Sequence, residues 1–190
     1  MIGIFLPMFQ CGLSSGTQLE GVRSEPIIRH SDRRGSFAEY FVGPDNQIAP
    51  EQWSIVHSET GVLRGMHVHA GHDELFALIS GHVTVGLHDL RADSSTAGLS
   101  ATFEFTNATP TRLVFPRGIL HGWLFHTDSI HLQATSAAHH TYHPHDNRGC
   151  HWSDPELGIA WPFEPSSVSE RATGFASLSE LRKSTSPHPH

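Results

Sequence analysis

Between Gly61 and Gly81 the chain reads GVLRGMHVHAGHDELFALISG, and this stretch narrows the possible folds more than any other. His67 and His69 stand two apart, so on a β-strand both side chains leave the same face. Ala70-Gly71-His72-Asp73 has the makings of a turn, because Gly and Asp accept the backbone angles that turns require. Glu74 then opens an apolar run, Leu75 to Ile79, which reads as a second strand ending at Ser80-Gly81. Two imidazoles and a carboxylate on adjacent antiparallel strands are three of the donors a divalent metal needs. His121 is available as a fourth: it follows the turn Pro116-Arg117-Gly118 and precedes an apolar segment, Gly122 to Phe125.

The rest of the chain has the same texture. Ser36–Val42, Gln52–Ser58, His82–Leu90, Thr102–Thr106, Thr111–Phe115, His121–Phe125 and Ile130–Thr135 are short, alternating or apolar runs separated by Gly/Pro/Asp turns. Ile27–Arg29 adds a further short strand. There is almost no helical period before a short segment at Leu178 to Lys183. The expectation is an all-β, antiparallel sandwich or barrel with a short C-terminal helical segment.

Composition sets the remaining bounds. At 190 residues, 37% hydrophobic and 16% charged, the chain suits one domain with a real core. A net charge of −7 gives no footprint for nucleic acid or an anionic membrane. Cys11 and Cys150 are too few for a disulfide framework, so a reduced, cytoplasmic setting is expected. The apolar residues 1–8 lack a basic flank and are too short to span a bilayer. They read as an N-terminal arm. The His-rich tract 137–145 reads as a solvated loop and 184–190 as a disordered His/Pro tail.

The two histidine stretches resemble the paired motifs of the cupin superfamily. Residues 61–81 follow G-x5-H-x-H-x4-E-x6-G, and residues 116–121 follow P-x-G-x-x-H. With 17 histidines in the chain, an H-x-H pair alone carries little; the fixed spacing of Gly61, His67, His69, Glu74 and Gly81 carries the resemblance. It implies a double-stranded β-helix, or jelly-roll, barrel over residues 22–165, an arm over 1–21 and a C-terminal segment over 166–190. It also implies a divalent metal (Fe, Ni, Mn or Zn) on His67, His69, Glu74 and His121. The bland alternative is a metal-free polar cavity.

A narrower resemblance covers about residues 22 to 165. It rests on Asp32–Glu39, Gly61–His67, His88–Arg91, Phe115–Trp123 and Arg148–Pro162, blocks similar in order to those of dTDP-4-dehydrorhamnose 3,5-epimerase and its sugar-nucleotide relatives. The resemblance implies that His67 is a general base removing the acidic proton next to a 4-keto group, polarised by Asp154. A neutral imidazole suits that task at pH 7. It further implies that Arg34 and Arg64 pair with a diphosphate, that Glu39 and Gln52 contact the nucleotide, and that the protein is a homodimer. Trp123 is expected at the cavity wall beside His121.

The chain departs from that family at the active site. Gln133 stands where the general-acid Tyr is expected, and a carboxamide has no proton to give. Tyr142 is the candidate replacement. His69 replaces a Gln and Glu74 a Lys, the two changes that complete the cupin ligand set. The first expectation is therefore a sugar-nucleotide epimerase or isomerase acting on a 4-keto-6-deoxy hexose, with a bound metal. The alternative is a metal-dependent oxygenase, lyase or cyclase acting on a small polar molecule. One conflict stands: a His67 that binds metal through its accepting nitrogen is not a free base.

Overall fold

The computed structural model describes residues 15–16, 18–41, 48–140, 146 and 148–185. These form fourteen strands: β1 (Ser15–Gly16), β2 (Arg23–Pro26), β3 (Arg29–Asp32), β4 (Gly35–Ala38), β5 (Gln52–Ser58), β6 (Val62–Val68), β7 (Glu74–Ser80), β8 (His82–Asp89), β9 (Ser100–Thr106), β10 (Thr111–Phe115), β11 (Ile119–Phe125), β12 (Ser129–Thr135), β13 (Arg148–Gly149) and β14 (Ser167–Val168). Helices α1 (Glu170–Thr173) and α2 (Leu178–Thr185) follow. One sheet has the order β1-β9-β8-β11-β6-β13, with β14 added beside β6; a second has the order β2-β10-β7-β12-β5. Every pairing is antiparallel except that of β14 with β6. This is the expected jelly roll. Strand pairing reaches slightly past the 22–165 span on both sides, through β1 and β14.

The apolar run of β7 is continuous because both its faces are covered. Phe76 and Leu78 join Val85, Phe105, Trp123 and Phe125 between the two sheets. Leu75 and Ala77 face outward and pack with Ile27, Ile48, Val114 and Ala134. The outer face of β6 and β11 is closed by the C-terminal segment: Met66 and Leu120 pack against Cys150, Leu157, Leu178 and Leu181. Burial pushes the Cys150 thiol up to about 12, so it is an inert core residue.

β6 and β11 come unusually close. His121 faces His67 and Trp123 faces Arg64, so β6 carries one residue more than β11 between these pairs. The extra residue permits Gly65 at φ +141, where a Cβ would lie 2.5 Å from Gly122 Cα. Only glycine fits there.

Two expectations are corrected. Ile27 and Ile28 are the link between β2 and β3, not a strand; the Ile27 N–H bonds Pro110 O at 2.8 Å. The first strand after the Asp32 turn is shorter than 36–42, ending at Ala38. The N-terminal arm and the end of the tail lie outside the described residues. Among those described, no helix is long and apolar enough to cross a membrane.

Candidate active site and metal centre

The inward faces of β6, β7, β11 and β12 gather buried polar side chains within the barrel, His131 among them, packed on Phe76 and Phe125. Glu74 opens β7 with its side chain buried, and its Oε2 accepts the Gln133 Nε2–H at 2.6 Å from β12. Its Oε1 has no hydrogen-bond partner. Facing that oxygen are His69 Nε2 at 3.3 Å and His121 Nε2 at 3.4 Å. Each of these rings has an oxygen behind its other nitrogen: Asp146 O lies 2.7 Å from His69 Nδ1, and Ile119 O lies 3.1 Å from His121 Nδ1. A backbone carbonyl can only accept, so it holds the proton on Nδ1 and leaves Nε2 with a lone pair. Three acceptor atoms, His69 Nε2, His121 Nε2 and Glu74 Oε1, therefore face one another.

Burial reinforces this state. It pulls His69 and His121 down to about 4, so both imidazoles are neutral at pH 7. It also raises the Glu74 carboxyl, since a buried negative charge without a cation is costly. His69, Glu74 and His121 form one group of donors lying within 4.8 Å of one another; His69, His72 and Asp146 form a second.

His67 belongs to neither group, which corrects the four-ligand expectation. Its ring stands 6.4 Å from that of His121 and meets Phe175 edge-on at 5.3 Å. Burial, His121 and the Arg171 and Arg64 guanidiniums lower it to about 3, so it is neutral. Its Nδ1 has no hydrogen bond. The convergent donors, His69, Glu74 and His121, are thus different residues from His67, the expected base.

The described hydrogen bonds of Asp154 go elsewhere than to His67. One carboxylate oxygen accepts the Glu156 N–H at 2.9 Å, capping a 3-10 turn, and the other accepts Leu178 N–H at 2.9 Å at the start of α2. The Asp-Pro pair is a helix-start signal, with proline inside the first turn. Its effect on the site is indirect. It anchors the C-terminal segment whose Phe175 ring fits against Gly149, where a Cβ would lie 2.2 Å away, and covers His67.

The other expected residues divide. Arg64 reaches across to β5, donating from Nε to Ser58 Oγ at 2.8 Å and from a terminal nitrogen to His57 O at 3.0 Å. Trp123 is buried beside His121, ring centroids 5.0 Å apart, and forms the expected wall. Gln133, an expected substrate contact, donates through its Nε2 to Glu74 and so orients a candidate ligand. Gln52 bonds Ser54 and the His139 N–H, away from the pocket. Arg34 lies on the separate β3–β4 hairpin, 81% exposed and paired with Asp32 at 2.6 Å, and Glu39 just beyond it is exposed. Tyr142 lies outside the described residues. The spacing gave no warning of His72, Asp146, Arg171 or Phe175, whose places depend on a turn and on the C-terminal fold.

The model of the family described as dTDP-4-dehydrorhamnose 3,5-epimerase matches residues 16–180. The chain belongs to that family. It is a cupin-fold epimerase family, and the enzyme class is isomerase. Relatives of this family include the spore coat polysaccharide biosynthesis protein SpsL of Bacillus subtilis, 31% identical over 151 residues, covering 77% of this chain and 98% of that protein. The dTDP-4-dehydrorhamnose 3,5-epimerase of Methanothermobacter thermautotrophicus is 30% identical over 158 residues, covering 78% and 83%. Among solved structures, the 3'-monoepimerase ChmJ of Streptomyces bikiniensis in complex with dTDP-quinovose superposes with a TM-score of 0.80 at 26% identity, covering 88% of each chain.

Proposed function

We propose that this enzyme epimerises a nucleotide-linked 4-keto-6-deoxy sugar and that His67 is its base. The observation that carries the reading is the state of His67: neutral, its Nδ1 without a hydrogen bond, and flanked by the charges of Arg64 and Arg171. A carbon next to a ketone is acidic because the electron pair released with its proton is delocalised onto the carbonyl oxygen as an enolate. The His67 nitrogen accepts that proton, and a solvent-derived proton delivered to the opposite face of the enolate carbon inverts the centre. Guanidiniums suit the diphosphate of a sugar nucleotide, and its negative charge would offset the cations that depress His67. The relative solved with dTDP-quinovose supports this ligand class.

The residues present also fit a divalent cation. Three acceptors face one another, and ligands on bonds of about 2.0–2.1 Å in tetrahedral array lie about 3.3 Å apart. The separations from Glu74 Oε1 are 3.3 and 3.4 Å. His69, Glu74 and His121 would hold the ion, and Gln133 would orient the carboxylate. A bound cation would supply Lewis-acid polarisation of the ketone oxygen, the task of the acid that Gln133 replaces. Nitrogen and oxygen donors of this kind suit Fe, Ni, Mn and Zn alike.

Deuterium wash-in from heavy water into a dTDP-4-keto-6-deoxy sugar tests the reading. Exchange beside the ketone, lost in His67→Asn, is expected; no exchange with the wild-type enzyme would refute it. One observation favours a second reading. Two histidines and one carboxylate with open positions are the donor set of non-haem iron oxygenases. Oxygen uptake with iron(II) and a small polar substrate would favour that class. We also propose a homodimer: β5 is a sheet edge carrying exposed Trp53 and Ile55, and the nearby β3–β4 region exposes Ile28 and Phe37.

A further inference from the structure

We infer that the third histidine of the cation site is His72, from the turn between β6 and β7, and that His67 is not a ligand. The inference rests on the cation reading above and changes its ligand set. His72 is 1% exposed, and its Nε2 lies 3.8 Å from Glu74 Oε1. Three histidine Nε2 atoms therefore face a single carboxylate oxygen, at 3.3, 3.4 and 3.8 Å.

Each of the three rings has an oxygen near its second nitrogen, hydrogen-bonded in His69 and His121 and at ion-pair distance without a hydrogen bond in His72. A metal-binding imidazole commonly directs its second nitrogen at a carbonyl or carboxylate oxygen, which fixes the tautomer and the ring's aim. His69 has Asp146 O behind it at 2.7 Å and His121 has Ile119 O at 3.1 Å. His72 has Asp146 Oδ2 behind its Nδ1 at 3.4 Å. The same Asp146 carboxylate accepts the Ala70 N–H at 2.5 Å and the Gly71 N–H at 3.1 Å. One aspartate thus holds the turn's shape, backs His72 through its side chain and backs His69 through its main chain.

The neighbours of His72 agree. Asp73 points the other way, accepting from Arg117 N and Nε at 3.0 and 3.1 Å. Alternation about Asp73 places His72 and Glu74 on the same side. Glu74 Oε2 is taken by Gln133, so the carboxylate presents one oxygen to the site. His67 stands in different surroundings: its ring packs on Phe175, and among the described residues it makes no ion pair with Glu74 or Asp146, as His72 does. The site becomes His69, His72, Glu74 and His121. The stoichiometry is that of the cupin pattern, with a turn residue standing in for the first motif histidine.

Cobalt(II) is the probe, because its visible spectrum reports the ligand field without any turnover. Chelator-stripped full-length protein is titrated with cobalt(II), with zinc(II) competition for affinity and elemental analysis for stoichiometry. Wild type and His67→Asn are expected to bind one equivalent with superimposable spectra. His72→Ala is expected to bind at least tenfold more weakly with an altered spectrum. His72→Gln repeats the measurement should the alanine variant fold poorly, as judged by circular dichroism. Loss of the ion in His67→Asn with full binding in both His72 variants would overturn the assignment of His72 and leave the cation reading intact. Failure of the wild type to bind any cobalt or zinc would overturn both.

Discussion

Asp89→Asn should be among the more damaging polar substitutions outside the pocket. Asp89 ends β8 with its carboxylate fully buried. Oδ1 accepts from Arg91 N and Nε at 3.0 and 2.9 Å, and Oδ2 from Arg91, Ser94 Oγ and Thr96 Oγ1 at 2.7, 2.6 and 2.7 Å. Burial alone would raise this carboxyl, but the bonds from Arg91, Ser94 and Thr96 outweigh it and bring it from 3.8 down to about 2. At 1.36 kcal/mol per unit, that difference is about 2 kcal/mol of stability. The folded value is depressed, so the contribution is complete above about pH 4 and disappears as pH falls from there toward 2. In the asparagine variant the two hydroxyls can reverse their bonds, but the Arg91 guanidinium cannot accept. The loss is then one charge-assisted bond plus an unbalanced half-buried cation, about 2–3 kcal/mol. For a chain of this length that is roughly 5–10 °C in Tm. Urea unfolding at pH 7 and at pH 3 measures it: the variant should be weaker at pH 7 and show a smaller drop toward pH 3. A change under about 0.5 kcal/mol at pH 7, with an unaltered pH slope, would refute this account of the pair. The pair also matters to the site. The Arg91 stem packs over Gly118, whose N–H bonds His69 O at 2.8 Å and whose turn leads to His121.

Four further outcomes follow from the geometry. Gly149→Ala should destabilise by about 1–3 kcal/mol, because its Cβ meets both Phe175 and Met66 O inside 2.4 Å; thermal melting reads it. Asp154→Asn should cost about 0.5–2 kcal/mol through the weakened turn cap and α2 anchor, yet keep deuterium exchange at saturating substrate within a few-fold of wild type. A loss as deep as that of His67→Asn would restore Asp154 to the chemistry. Glu74→Gln should lower cation affinity by at least tenfold in the cobalt titration, since it removes the only charge among the donors. Ile55→Asp should convert the proposed dimer to monomer in light scattering, and an unchanged mass would move the interface elsewhere.

Much of the barrel was legible because strands with one covered face must alternate and doubly covered ones must not. Gln52–Ser58 and Thr111–Phe115 fall on the expected residues, and Glu74–Ser80 within one. The H-x-H rule was less safe. It assumes a strand running through both residues, whereas β6 closes at Val68 and leaves His69 outside it. His72 and Asp146 meet only through the conformation of a turn and a loop far apart in sequence, which no periodicity records. Asp154 carries a second signal beside the resemblance: Asp-Pro is a local cap, and its carboxylate caps the 3-10 turn and the start of α2. Arg34 and Glu39 matched by pattern, but within one chain they sit on a hairpin outside the pocket.

The contact of Gly65 with Gly122 has a consequence for how such an enzyme can change. Main chain touches main chain there, leaving no side chain whose trimming could widen the gap. His67 on β6 and His121 on β11 are therefore mounted on one inflexible joint, at a separation neither can adjust alone. New substrates would be reached by remodelling the covering C-terminal flap or the turn that bears His72, while the joint itself stays as it is.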